Sequence, residues 1–302
     1  GEPAPAGSTE CVCDVDEADE VFIKDGYRFV KCRRCGMMYV NPQTDTEKLK
    51  SYYKDLKSNN LWVELVLASE SQREFDTKKF VSLCEDLERL NNGPGRVLDV
   101  GCSVGHFLDV AQGRGWETHG LELNDKAVEH ATKTLGLDVR PQLLDETDFE
   151  EGSFDVVTLW EVLEHVPDPR AVITDCRRML RPGGLLAILV PNLMALSAMI
   201  MQEHCSCFGG RNHLWYFGKD SLGSLLDQCG FKVFTDETRT ILSQMNEMLG
   251  YLSYRDPYMT AAGDHEFDLP DDLKEKIEQW IFDNDMGYKL LMYAAREDRS
   301  EE

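Results

Sequence analysis

Residues 97–107 read VLDVGCSVGHF, and the fold turns on how this stretch is interpreted. Val97, Leu98 and Val100 are apolar in the manner of a strand, and Asp99 sits near the strand's end. Gly101 and Gly105 follow, and the apolar residues beyond them fit a helix over about 104–114. In an open α/β sheet, ligands bind outside the carboxyl ends of the strands, where the strand order reverses. Gly101 allows a sharp backbone turn, and Gly105 allows a close approach by a ligand or by the start of the helix. The glycine pair by itself also fits a tight turn in any α/β domain.

Outward from this unit, strands and helices alternate. WETHGLEL (116–123), LDVR (137–140), FDVVTLW (154–160), LLAILV (185–190) and FKVFT (231–235) read as strands, with helices predicted over 125–135, 168–179 and 219–230. Arg181-Pro182-Gly183-Gly184 reads as a sharp turn, and GYKLLMYAAR (287–296) as a last strand. The alternation predicts a doubly wound α/β sheet. Residues 236–286 interrupt it with a helical, acidic, Met- and Tyr-bearing insertion expected to form a cap. Upstream, residues 44–90 read as helices forming a lid, with Thr44 and Glu47 spaced as a capping box. Residues 11–43 carry four cysteines and form a small module of their own. Residues 1–10 and 297–302 read as tails, the first disordered or an expression remnant.

The 302 residues carry 55 acidic and 32 basic side chains, a formal net charge of -23. Such a surface repels phosphate backbones and anionic lipid headgroups, which disfavours a nucleic-acid partner. No apolar run approaches the roughly 20 residues needed to cross a bilayer. Ten cysteines without a secretory signal point to a reducing compartment, so the chain is expected in the cytoplasm. The oligomeric state stays open, a homodimer included.

Two carboxylates narrow the ligand of the glycine loop. Glu122 ends the second strand, 21 residues beyond Gly101, about where an acid accepts hydrogen bonds from ribose hydroxyls. Asp99 would sit under the ligand. An anionic pyrophosphate has no use for a carboxylate there, whereas a cofactor bearing ammonium and sulfonium centres does. The loop also lacks the third glycine of G-x-G-x-x-G.

From about 96 to 235 the chain resembles the class I S-adenosylmethionine-dependent methyltransferases. LDVGCSVGHFL is similar to their first motif and HGLELNDKAVEHA to their ribose-binding segment. GSFDVVTLWEVLEHVPDP and LRPGGLLAILVPN resemble their fourth- and fifth-strand motifs, and HLWYFGKDSLGSLLDQCGF resembles a stretch common in small-molecule members. The resemblance implies a seven-stranded Rossmann-like sheet formed by residues 91–235 plus 287–296. It also implies that Asp99, Gly101, Cys102 and Gly105 cradle the methionine end of the cofactor. Glu122 would hold the ribose, Leu123, Leu144 and Asp145 would contact the adenine, and Trp160 would wall the site. Cys102 reads as a small loop residue rather than a nucleophile, and Trp160 fits a core aromatic nearly as well.

Methyl transfer from a sulfonium is an in-line displacement, and a hydroxyl acceptor must also lose a proton to a base or a metal. Glu161, Glu164 and His165, in WEVLEH after the fourth strand, are candidates for that work, with Glu161 and His165 spaced to share one helical face. His213, with Arg211 and Tyr216, lies in a loop expected at the same end of the sheet. A subset of similar methyltransferases uses E-x-x-E-H and a later His to bind a divalent ion, which makes Glu161, Glu164 and His165 a candidate cation site. One such group methylates RNA 3′ ends, which the net charge disfavours, and another methylates quinone-precursor phenols. The expected acceptor is a hydroxyl or carbon of a small molecule such as a sugar, a phenol or a natural-product intermediate. The competing reading is a non-catalytic binding protein that keeps the fold.

Cys11-x-Cys13 and Cys32-x-x-Cys35, with 18 residues between the pairs, offer four thiolates for a structural zinc ion. This module resembles a zinc-knuckle extension on one branch of the family, although Cys11-x-Cys13 departs from the usual C-x-x-C. A redox dithiol is the other reading. His204, Cys205 and Cys207 are read as loop packing.

Overall fold

Strand β1 (Ala18–Lys24) and strand β2 (Tyr27–Cys32) form an antiparallel hairpin closed by Asp25 and Gly26, whose φ values of 51° and 81° suit a two-residue Asp-Gly turn. Strand β3 (Met38–Val40) adds to β2, and all three of its residues are buried. The computed structural model describes residues 11–14, 17–55, 57–252 and 269–297. The predicted tails over 1–10 and 298–302, and residues 253–268 of the predicted cap, lie outside them.

Three helices follow, α1 (Thr46–Asp55), α2 (Lys57–Ala68) and α3 (Glu70–Asn91). The cap of α1 is not the expected Thr44. Asp45 Oδ1 accepts from the amides of Glu47 and Lys48 at 3.1 and 3.2 Å, while Thr44 Oγ1 donates to the Arg211 carbonyl. Ser69 caps α3 through Gln72 N, and Asn92 ends it in the left-handed region at φ 61°.

The chain then builds the central layer. In order it forms β4 (Arg96–Val100), α4 (His106–Gly113), β5 (Glu117–Leu121), α5 (Asp125–Glu129), β6 (Asp138–Arg140), β7 (Phe154–Trp160), α6 (Pro169–Met179) and β8 (Leu180–Pro191). Then come α7 (Leu196–Met201), β9 (Trp215–Tyr216), α8 (Lys219–Gln228), β10 (Phe231–Val233), β11 (Arg239–Ile241), α9 (Met245–Leu252), α10 (Asp271–Asp283) and β12 (Lys289–Arg296). Across the sheet the order is β10-β12-β8-β7-β4-β5-β6. Strands β4 to β8 run parallel, and β12 is antiparallel to β8. The seven expected positions are present, and the edge next to β12 is shared. β10 pairs with Ala294–Arg296 and β11 with Leu291–Lys289. Thus Arg239–Ile241, inside the stretch read as a helical cap, is strand, while α9 and α10 supply its helices.

Arg181–Gly184 does not break the chain as a turn. It forms a wide bulge inside β8, with Leu180 opposite Phe154 and Leu185 already opposite Val156. Gly184 is forced there, since a Cβ would lie 2.9 Å from the Arg181 carbonyl oxygen.

Period-two alternation buries both faces of the sheet. Leu98, Val157 and Leu186 pack against Ile173, Cys176 and Leu222 from α6 and α8. Val97, Val156 and Ala187 pack against Leu83, Leu87, Phe107 and Leu108 from α3 and α4. Strand order reverses between β4 and β7, so their carboxyl ends flank the cleft, and Asp99 and Trp160 stand at its edges.

Candidate active site

The loop after β4 is shaped from beneath. Gly101 and Cys102 both donate to the Leu121 carbonyl, at 2.7 and 3.0 Å. Gly101, Ser103 and Gly105 have positive φ (75°, 50° and 84°), so the backbone curls back before α4 begins. Neither glycine tolerates a side chain. A Cβ on Gly101 would lie 2.7 Å from Val162 Cγ2, and one on Gly105 would lie 2.7 Å from Leu137 Cδ1. Cys102 is buried and packs toward Gly120 of β5, and its thiol pKa is pushed well up by burial, which makes it inert.

Asp99 is 2 % exposed, and its Oδ1 accepts from Thr158 Oγ1 of β7 at 2.7 Å. Burial, helped by the charge of Glu122, pushes its pKa up to about 8 against the pull of that hydrogen bond. The carboxyl is therefore poised for a cationic partner, which would restore its charged form. Glu122 organises the loop: Oε2 accepts from Ser103 N at 2.9 Å, and Oε1 accepts from Leu123 N and Asn124 N, both at 2.7 Å. A carboxylate has about four acceptor positions, so this leaves capacity for about one more donor. Burial raises the Glu122 pKa while the three amides lower it, with a net upward shift. Helix α2 lies over this corner. Val63 packs with Val104 and Ala127, Asn60 accepts from Asn124 Nδ2 at 3.1 Å, and Lys126 pairs with Glu64.

The remaining predicted cofactor residues divide. The Leu123 side chain is half-buried beside the loop, whereas Leu144 is in the core and Asp145 is exposed. Trp160, 9 % exposed, packs edge-on against Phe107 with centroids 5.3 Å apart. Its Nε1 is buried and has no hydrogen-bond partner among the described residues. It is thus a core aromatic with an unused donor near the end of β7.

Beyond β7, three predicted residues converge. One ligand atom from each of Glu164, His165 and His213 lies within 4.8 Å of the others. His165 Nδ1 faces the Asn212 carbonyl at 2.8 Å, and His213 Nδ1 faces the Cys207 carbonyl at 2.9 Å. A carbonyl only accepts, so each Nδ1 carries the proton and each Nε2 a lone pair. The rings meet edge-on with centroids 4.7 Å apart. Burial pulls both pKa values down to about 4, which makes both imidazoles neutral near pH 7. Glu164 is 1 % exposed, and neither carboxyl oxygen has a hydrogen-bond partner among the described residues. Burial pushes its pKa up to about 7. An orphaned buried carboxyl beside two neutral imidazoles fits either a proton or a hard divalent cation.

Glu161 does not join this trio. Its backbone is left-handed at φ 59°, and its Oε1 pairs with Lys289 Nζ at 3.0 Å. Tyr216 is buried and donates to the His213 carbonyl at 3.2 Å, so it supports the loop from behind. The Arg211 side chain is exposed, and its carbonyl accepts from Thr44. Cys205 and Cys207 are buried in an apolar cluster and His204 faces outward, in keeping with loop packing.

Strand β9 begins two residues after His213 and pairs with β3, giving the N-terminal hairpin its fourth strand. Leu214 N donates to the Glu164 carbonyl at 2.7 Å, and Val40 N donates to the Leu214 carbonyl at 3.0 Å. A backbone ladder therefore runs from the cysteine module to the trio. In that module the Sγ atoms of Cys11 and Cys35 are 3.4 Å apart, those of Cys13 and Cys32 are 3.5 Å apart, and all four lie within 4.8 Å of one another. Tetrahedral zinc with Zn–S bonds near 2.3 Å requires S···S distances of about 3.8 Å. Burial opposes the Cys32 thiolate, but the amides of Cys35 and Arg34 and neighbouring thiols bring its pKa down to about 7.

The sequence profile of a family described as "Methyltransferase domain" matches residues 74–235, more than half of the chain. The chain belongs to this methyltransferase family. The matched region holds the glycine loop, Glu122 and the Glu164, His165 and His213 trio; the cysteine module and Lys289 lie outside it. A ubiquinone biosynthesis O-methyltransferase of Thiobacillus denitrificans is 38% identical over 111 residues, covering 35% of this chain and 48% of that protein. The chain thus spans about half the length of the curated relatives it matches. Among solved structures, a SAM-dependent methyltransferase from Archaeoglobus fulgidus superposes with a TM-score of 0.53 at 18% identity, covering 78% of this chain and 98% of that one. The magnesium protoporphyrin IX methyltransferase of Synechocystis PCC 6803, with bound SAH, does so with a TM-score of 0.56 at 15% identity, covering 84% and 100%. These structures establish the class I methyltransferase fold. Among the described residues, no helix of this chain is long and apolar enough to cross a membrane.

Sequence reasoning missed three contributors to the site: Thr158 under Asp99, the Val63 face of α2, and Lys289. Only Lys289 had a visible signal, as a lone cation in the apolar run GYKLLMYAAR.

Proposed function

We propose that this chain transfers the methyl group of S-adenosylmethionine to a hydroxyl oxygen of a small-molecule acceptor, and that its N-terminal cysteines hold a structural zinc ion. The observation that carries the reading is Glu164, a buried carboxyl with no hydrogen-bond partner among the described residues, beside two neutral imidazoles at the strand-switch cleft that also holds Asp99. A group of that kind is costly unless something arrives to use it. The name of the Thiobacillus relative, an O-methyltransferase, supports oxygen as the acceptor atom.

When bound, the cofactor supplies a methyl group already activated on a sulfonium. Asp99 would face its positive methionine end, Gly101 and Gly105 would let it approach the backbone, and Glu122 would accept from the ribose with its remaining capacity. Leu123 would flank the adenine, and α2 would cover the pair from solvent. A divalent cation, held by Glu164, His165 Nε2 and His213 Nε2, would supply acidification of the acceptor hydroxyl. The donor set of one carboxylate and two imidazoles suits it. The same three groups are placed to take the hydroxyl proton directly. Cys11, Cys13, Cys32 and Cys35 would close a four-sulfur site with no open position, which makes that site a folding element.

The test supplies labelled-methyl S-adenosylmethionine with separate phenol, catechol, sugar and amine acceptors, in the presence and absence of Mg²⁺ or Mn²⁺. The expected result is label on oxygen in a hydroxyl acceptor. Label confined to amines contradicts the reading.

A further inference from the structure

The E-x-x-E-H spacing offers Glu161 as a companion ligand to Glu164 and His165, yet the fold keeps it apart. Its φ of 59° is uncommon for a residue other than glycine, and its amide donates to the Leu189 carbonyl at 2.7 Å. Its carboxylate is taken by Lys289 Nζ at 3.0 Å. Lys289 opens β12, lies opposite Pro191 of β8 and Ile241 of β11, and is 6 % exposed. A lysine ammonium is rarely buried to this degree, because desolvation exceeds what one ion pair returns unless the charge has a use. Here the charges of Lys289 and Glu161 both reach the Glu164 carboxyl and the His165 ring. Without Lys289, the Glu161 carboxylate, whose side chain is 42 % exposed, would be released three residues from Glu164 and free to turn to a cation.

We propose that Lys289 is a positioning residue that competes with the divalent cation for Glu161, keeping the protein ligand set at Glu164, His165 and His213. The inference rests on the cation reading given above. Its physical sense is that a second carboxylate at a hard six-coordinate cation adds negative charge and takes a position otherwise left to water or substrate. The standing positive charge also moderates cation affinity.

The test measures Mn²⁺ binding to the full chain, from the free-ion electron paramagnetic resonance signal. The variants are Lys289→Met, Glu161→Gln, the double variant and Lys289→Arg. Lys289→Met is expected to tighten binding by about tenfold or more, the scale on which residues beyond the ligands alter metal affinity. The gain should be several-fold smaller when Glu161 is already Gln, because the released carboxylate is its main source. Lys289→Arg should match the native chain, since it keeps the pair. Equal gains in both backgrounds would mean simple charge repulsion and would overturn the proposal, as would no gain at all. Binding that His213→Ala abolishes but Lys289→Met leaves unchanged sinks this inference alone, while no Mn²⁺ binding by any variant sinks the cation reading and this inference with it. Thermal melts check that each variant is folded, and Lys289→Gln runs the same cycle if the Met variant is not.

Discussion

Glu164→Gln is expected to lower methyl transfer by about 10²- to 10⁴-fold, the range associated with losing a positioned proton acceptor. Affinity for the cofactor should stay within about twofold, since the loop that would hold the cofactor is organised by Glu122 and Asp99 and makes no hydrogen bond to the Glu164 side chain among the described residues. Gln keeps the volume and removes the charge, so packing is not at issue. The buried carboxyl has no hydrogen-bond partner among the described residues, so its loss costs the fold nothing comparable. The melting temperature should therefore hold or rise, because removing an uncompensated buried ionisable group is often neutral or stabilising. Reduced turnover together with undiminished stability is the mark of a group kept for chemistry. An unchanged rate would place Glu164 in the scaffold and shift the proton transfer elsewhere. Initial rates and calorimetric melts on one preparation decide between the two.

The second large effect is expected at the cysteine module. One zinc per chain should appear in metal analysis, and Cys32→Ser should lose it. In small zinc modules the metal contributes an apparent 10–16 kcal/mol at about neutral pH, which is folding free energy for the segment that holds it. The consequence should reach the active site. β3 pairs with β9, and Leu214 links Val40 to Glu164, so a loosened module frees the loop that carries His213. Lys24 Nζ donating to the Cys205 carbonyl at 2.9 Å ties the same loop from the other side. Cys32→Ser should thus lower turnover about as far as His213→Ala does, though its site is elsewhere. Trp215, 3 % exposed and stacked on Tyr39 with centroids 5.5 Å apart, should shift its emission to the red as the module opens. A zinc-free chain with native emission and full activity would remove the module from this account.

Much of this architecture was legible in the sequence because it rests on local rules. The glycine loop, the carboxylates at two strand tips and the alternating elements each follow from spacing and residue type. The trio was partly legible. WEVLEH and a later His gave its members, but not that Glu161 would turn away, because that depends on a lysine about 128 positions further on and on a sheet order that sets β12 one strand away from β7, across β8. The same limit hid the fourth strand of the cysteine module, two residues contributed from far along the chain, beside His213. Asp45 is not visible as the cap because Thr44, with Glu47 three residues on, fits the box pattern better, and only the hydrogen bond of Thr44 to the Arg211 carbonyl separates them. RPGG reads equally as a turn or a bulge, because a positive-φ glycine such as Gly183 serves both. Glu122 shows the converse: its position was foreseen, whereas its three backbone amides were not, since they come from the curl of the loop.

Everything turns on whether the carboxylates and amides at the ends of β4 and β5 receive a positively charged, ribose-bearing methyl donor. Isothermal titration of the folded, zinc-replete chain with S-adenosylmethionine and with its demethylated product addresses this without knowledge of the acceptor. Saturable one-to-one binding is predicted for both, weakened about tenfold or more by Glu122→Ala, which removes a buried charged acceptor and frees the loop amides it holds. Absence of any binding heat at millimolar ligand, with the protein demonstrably folded, would contradict the account.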